Sequence, residues 1–374
     1  MNGLQLNIPQ RISLIRVVLT VGTIISIFLS FQLWFGNRSF PHAPIIQNLD
    51  SDFNPSLILT LALLILMLAS LVLKWQRLLL FVACFISVVL VLLDANRMQH
   101  WFYIYISLLL VVSSYNGRVD DSNKYTSYFI LMQIIVASVY FFCGISQLNP
   151  SFSETEFPKI IEPLSNNLSA RQFHLVTKIG VAIPYVLIFL GIGLIVTPIR
   201  FLAISLGIVL HFVLLILLFP SSQNQNYSLW FSNLIFMLLL FLLYSGRTKQ
   251  RYYSPAFLFQ IPLFYLIIPL FVILPFTNSF GYWPNHLSSN FVSGKKKKIA
   301  VTIKPHIYDQ LPLYEKYFCK ETEQGLILDY ESWCKHELNV ECNPEPTVFM
   351  SIVKHVQKLE NTGVKEAQLA ATFK

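Results

Sequence analysis

The sequence predicts an all-α polytopic membrane protein of about nine transmembrane helices that carries a small α+β C-terminal extramembrane domain. Three observations predict it. Apolar residues fill 55% of the 374 positions and charged residues only 12%, against roughly 25% charge in a soluble globular chain. The mean hydropathy is +0.58, and the apolar residues gather in runs of about the length that crosses a bilayer. Aromatic residues reach 14%, with 31 Phe and 17 Tyr, which suits helices that end in interfacial aromatic belts. Such a chain cannot cover itself with polar surface, so its main partner is the lipid bilayer. A soluble enzyme, a disordered protein and a disulfide scaffold are excluded.

Clear runs lie at 14–35, 56–73, 78–93, 178–197, 201–219 and 227–245, and less uniform ones at 101–115, 127–148 and 257–276. The fourth in chain order, 101–115, is the shortest. The first run is too long for a cleaved signal peptide, and no small-residue cleavage site follows it. Basic residues flanking the runs set the orientation. Arg11, Arg16, Lys74, Arg77, Arg118, Lys124, Arg200, Arg247, Lys249 and Arg251 fall on one side, and Arg38, Arg97, Lys159, Arg171 and Lys178 on the other. The N-terminus is therefore expected in the cytoplasm and, with nine spans, the tail outside. Lys295 to Lys298 lie at the margin of the window in which charge counts and oppose this reading. The first 294 residues carry a net +7, but singly, between apolar runs. No nucleic-acid partner is expected, because that needs basic residues clustered on a soluble face.

The boundary falls at 294/295: residues 1–294 form the transmembrane body and 295–374 a small soluble domain, near the lower limit for an independent core. The stretch from Ile299 reads as a strand, and Glu331 to Leu338 and Thr347 to Lys358 read as short helices. This tail is expected to pack on the membrane body. Cys84 and Cys143 lie inside apolar runs and read as packing residues. Cys319, Cys334 and Cys342 lie in the tail, where an external location would allow one disulfide and leave one thiol; spacing does not assign the pair. No CxxC, zinc spacing or Gly-rich phosphate loop occurs, and no metal site is expected.

Polar groups inside apolar runs are costly and need an account. The densest cluster is LLDANRMQHWFYIY, with Asp94, Asn96, Arg97, Gln99, His100, Trp101, Tyr103 and Tyr105. Two readings stand open: an interfacial turn in which Asp94 pairs with Arg97 at i,i+3, or the rim of a buried site. A second cluster, VYFFCGISQLNPSF, holds Tyr140, Ser146, Gln147 and Asn149; it is a capped helix end or a site wall, with Gly144 allowing close helix approach. A third set is His211 alone in its run, followed by Asn224, Asn226, Trp230 and Asn233. His211 is either a hydrogen-bonded packing residue or a neutral-range acid–base group. On the expected topology all three sets lie toward the external side, which suggests a common cavity.

Those three stretches, with FGYWPNHLSSNFVSG, resemble the HTTM domain family, bacterial membrane proteins related to the vitamin K-dependent gamma-carboxylase. The matches keep the family's order over about residues 10–300. The resemblance implies a nine-helix body, a cytoplasmic N-terminus, an external tail, a bacterial cytoplasmic membrane, and a quinone or hydroquinone in the cavity. It also implies a lysine base that deprotonates the hydroquinone, and the matching position here is Gln147. An amide has no titratable lone pair near neutral pH, so it orients a hydroxyl but cannot act as the base. The family histidine in the first cluster aligns with Trp101, one place from His100, and His211 aligns with another family histidine. Glutamate carboxylation is therefore not expected. Three functions remain: binding of a quinone or isoprenoid-like lipid, with Gln147 and His211 holding its head; catalysis with His100 or His211 as base; or a structural role in which the tail recruits a partner. The absence of an inverted repeat argues against a transporter.

Overall fold

The computed structural model describes residues 6–46, 55–115, 122–219, 226–245, 255–294, 299–323 and 325–361. Six helices are long and apolar enough to cross a membrane: α1 (Ile8–Leu29), α3 (Gln76–Leu93), α5 (Ser122–Gln147), α6 (Ala170–Ile195), α7 (Thr197–Leu217) and α8 (Tyr227–Tyr244). Three shorter apolar helices, α2 (Ser56–Val72), α4 (His100–Ser114) and α9 (Phe264–Phe280), stand where the other expected runs lie. Their 17, 15 and 17 residues reach only about 22–26 Å at ~1.5 Å per residue, short of the ~30 Å hydrocarbon thickness. For α4 there is a physical reason. All but Tyr103, Leu110 and Ser114 of its residues are buried, so it lies inside the bundle rather than against lipid.

Local sequence sets the helix ends. Asn7 and Gln10 cap α1 reciprocally, each side chain taking the other's backbone N–H at 2.9–3.0 Å. Ser169 and Gln172 form the same box at the start of α6. Asn226 begins α8, its Oδ1 accepting from Leu229 N–H at 3.0 Å. Each arrangement satisfies donors that a helix start otherwise leaves unpaired. Apolar side chains then face outward along α2, α3 and α7, among them Ile65, Val72, Phe85, Phe201 and Phe212. An exposed apolar surface this extensive is suited to lipid, not water.

Helix packing follows the small residues. A Cβ on Gly144 of α5 would meet the Pro184 carbonyl oxygen at 2.7 Å and the Ile188 backbone nitrogen at 2.8 Å on α6. A Cβ on Gly191 of α6 would in turn meet the Phe141 backbone nitrogen at 2.7 Å. Two glycines thus bring α5 and α6 to backbone contact, the close approach expected at Gly144.

The tail carries β1 (Val301–Ile303), β2 (Cys319–Thr322) and β3 (Gly325–Leu328), an antiparallel sheet in the order β1-β3-β2 with Leu328 opposite both Val301 and Cys319. Around it lie α10 (Pro305–Gln310), α11 (Tyr330–Leu338) and α12 (Pro346–Asn361). The strand expected from Ile299 is present over Val301–Ile303 and both tail helices of the sequence reading are present; the β2–β3 hairpin is an addition to it. The buried apolar side chains of the tail are continuous with those of the helix bundle in one cluster. Trp333 meets Phe40 edge-on at 5.0 Å across this boundary. Lys295 to Lys298, Arg118, Asn224, Arg247, Lys249 and Arg251 fall outside the described residues.

Candidate ligand site in the helix bundle

His211, in the middle of α7, lies between two helices. Its Nδ1 is 2.8 Å from Asn233 Oδ1 on α8, and its Nε2 is 2.5 Å from the Tyr140 hydroxyl on α5. The surrounding bonds fix who donates. Asn233 Nδ2 gives its proton to the Leu229 carbonyl at 2.9 Å, so Oδ1 is left to accept from His211 Nδ1–H. Nε2 is then bare and accepts from Tyr140 O–H, the tautomer a neutral imidazole needs. The ring also stacks on Phe236 at 5.5 Å. All three polar residues are buried. Tyr140, His211 and Asn233 form a phenol–imidazole–amide relay in which a base is oriented by a third group.

Gln147 shares a helix face with Tyr140. Seven residues are close to two full turns, so the two side chains project nearly in line, about 10 Å apart along the axis. Gln147 is 6% exposed. Its Nε2 reaches Cys143 Sγ at 3.5 Å, while its Oε1 is buried with no hydrogen-bond partner. Asn149, just beyond, has a fastening role. Its Nδ2 donates to the carbonyls of Ser146 and Ser293 at 2.9 and 2.8 Å, and its Oδ1 accepts from Phe152 N–H at 3.1 Å.

The first cluster corrects the expected i,i+3 pair. Asp94 is ion-paired with Arg38 at 2.5 Å, fifty-six residues away in sequence, and also accepts from the backbone N–H groups of Ala43 and Asn96 at 3.2 Å. Burial would raise the Asp94 carboxyl, but Arg38, His42 and Arg97 together hold it well below the usual carboxylate range. Arg97 instead ties helix ends together. It donates to Ser56 Oγ at 3.1 Å and to the carbonyls of Leu90 and Leu33 at 3.3 and 3.4 Å, with Trp34 beneath its guanidinium. Burial lowers its pKa to about 10, so it stays charged at neutral pH. Gln99 Nε2 donates to the carbonyls of Asn96 and, in the tail, Glu341. The pairing of Asp94 is therefore with Arg38 and not with Arg97, and the turn at 94–99 is a junction for the 38–43 segment and the tail. Arg38, which the sequence offers only as a charge flanking an apolar run, and Glu337 and Asn343, which nothing in the sequence singles out, complete it through contacts that span 50 to 300 residues of chain.

The remaining candidates divide. Tyr103 stacks on Phe271 at 4.8 Å with a buried hydroxyl that lacks a partner, and the indole N–H of Trp101 and the hydroxyl of Tyr105 are likewise buried and unpaired. His100 packs on Phe291 at 4.7 Å. Asn226 is a helix cap, and Trp230 Nε1 donates to the Leu215 carbonyl at 2.9 Å. Between the Arg97 junction and His211 runs a succession of rings, Trp34, Trp101, Tyr105 and Phe236, with neighbouring centroids 5.5–6.4 Å apart. Aromatic packing occupies the interval between the first and third clusters. A cavity of about 390 Å³ lies on a different face of α5, walled by apolar residues such as Phe141, Ile192 and Phe276; none of the sequence-selected residues lines it. Among the described residues no group of His, Cys, Asp and Glu is arranged to hold a metal ion.

No protein-family model, no curated protein and no solved structure matches this chain.

Proposed function

We propose that the chain is a multi-pass membrane protein of about nine spans, HTTM-like in its body, that binds a quinone, hydroquinone or isoprenoid-like lipid by its polar head. The N-terminus is cytoplasmic, the tail is external, and the membrane is the cytoplasmic membrane of a bacterium. The carrying observation is the Gln147 carbonyl oxygen, buried and without a donor. An orphaned acceptor of this kind costs about 1–3 kcal/mol, and a ligand hydroxyl removes that cost. Tyr140 and His211 lie along the same face as a proton-holding pair, and the unpaired hydroxyls and indole of α4 add further donors in the bundle interior. Gln147 cannot serve as a base, so carboxylation of glutamate forms no part of this reading.

The test is a titration of detergent-purified full-length protein with a short-tailed quinone, read by tryptophan fluorescence. Wild type should quench saturably, and Gln147→Leu should bind roughly three- to tenfold more weakly, the value of one hydrogen bond. No saturable quenching, or equal affinity in the two proteins, would end the idea.

One observation favours a second reading, an enzyme with His211 as base. The bare Nε2 already accepts a phenolic proton and is chemically suited to accept one from a bound substrate. That reading predicts a variant His211→Gln that binds ligand but does not turn it over.

A further inference from the structure

The fastening of the tail onto the helix bundle runs through one short return segment. Helix α11 starts with Asp329 Oδ1 accepting from Ser332 N–H and ends at Asn339, whose positive φ of 55° turns the chain back. Residues 340–343 then pass beside the helix they have just left. From this segment Glu341 offers its carbonyl to Gln99 Nε2 at 3.1 Å, and Asn343 Nδ2 donates to the Ala95 carbonyl at 2.8 Å. One turn along α11, the Glu337 carboxylate accepts the backbone N–H groups of Ser39 and Phe40. The join between tail and bundle thus depends on how firmly 340–343 is held to α11.

Two cysteines sit where that hold is made. Cys334, on α11, is fully buried with Sγ 3.9 Å from the Val340 carbonyl, and its thiol meets the thiol of Cys342, also buried, on the return segment. Cys319 is half-buried on β2, with Sγ toward the Glu315 carbonyl, and Cys84 and Cys143 are on membrane helices. The choice among tail pairs that spacing left open is narrowed by this contact.

We infer that Cys334 and Cys342 form a structural disulfide that locks the return segment to α11 and so fastens the tail to the turn at residues 94–99. The inference rests on the external placement of the tail, because disulfides persist in an oxidising compartment. The oxidant belongs to the class of protein or small-molecule disulfides. One cysteine thiolate attacks the donor disulfide, giving a mixed disulfide and one donor thiol. The second cysteine then displaces the other donor sulfur. The chain loses two protons and two electrons, and the donor disulfide gains both as two thiols. Burial, and next the neighbouring Cys342, push the Cys334 thiol well above its ordinary range, with Arg38 offsetting this only in part. Since the thiolate is the reactive form, exchange belongs to the stage before the tail docks, and docking then shields the bond from reductant.

Full-length protein is isolated from cells with thiols trapped by an alkylating agent in denaturant, without reductant, and mapped by peptide mass spectrometry. Cys84, Cys143 and Cys319 should be alkylated. Cys334 and Cys342 should appear as one crosslinked species, lighter by two hydrogens, that opens only on reduction. In the purified protein, Cys334→Ala/Cys342→Ala should release the tail to protease roughly tenfold faster than wild type, whereas Cys319→Ala should not. Alkylation of all five cysteines overturns the proposal. A parallel variant, Tyr317→Cys at a well-exposed position, tells the reason when probed with a membrane-impermeant maleimide on intact cells. Labelling there means the pairing is wrong and the placement right. Protection there means the tail is not external, and the placement fails with the disulfide.

Discussion

Taking away either partner of the Arg38–Asp94 pair strands a charge in a site without solvent, a change that typically costs about 3–5 kcal/mol. Asp94→Ala should therefore lower the apparent thermal midpoint in detergent far more than removal of the exposed Lys159–Glu156 pair, whose kind contributes ~0–1 kcal/mol. The pH dependence has a defined sign. Asp94 titrates lower folded than unfolded, so its stabilisation is complete above its unfolded value of about 3.9 and drains away as pH falls below that. Asp94→Asn should flatten this acid limb. At the relay, His211→Ala leaves Tyr140 O–H and Asn233 Oδ1 unpaired, at about 1–3 kcal/mol for each group. Tyr140→Phe strands only Nε2 and should cost less in the same melt. What the sequence disclosed at this scale was which residues are anomalous. Asp94, Gln147 and His211 stand out because polar groups in apolar runs are rare. The pairings did not stand out. Arg38 reads as a flanking charge, and only the fold carries it to Asp94; Tyr140 and Asn233 are legible as polar members of separate clusters, but only the placing of α7 between them gives both to one imidazole.

The helices themselves were legible because a bilayer imposes both a length and a composition on a span. Each of the nine apolar runs has a helix over it. The tail hairpin was not legible, since β2 and β3 are four residues each and only partly buried, too short for an alternation to show. Element packing gives its own prediction. Gly144→Ala drives a Cβ against α6 backbone, which cannot yield without moving the helix, whereas Gly207→Ala meets only the end of the Leu240 side chain. The first should cost about 1–3 kcal/mol and the second less, measured as thermal midpoints of the two variants side by side. If both are neutral, the α5–α6 approach is looser than described.

At the scale of the molecule, bundle and tail share one apolar core, so a chain ended after Ser293 would uncover the Phe40 and Gln99 surface. Such a truncation should aggregate in size-exclusion chromatography where the full chain runs as a single symmetric peak. A truncated protein that behaves normally would show that the junction does not hold the body together. The proposed ligand site is a different place, the face of α5 that runs from Tyr140 to Gln147. The most direct measurement is an experimental density map of the full chain extracted with its native lipids and reconstituted without added ligand. The account predicts an elongated amphiphile whose polar head lies within hydrogen-bonding distance of Gln147 Oε1. A map in which that oxygen takes its proton from the protein or from water, with lipid confined to the outer surface, would contradict it.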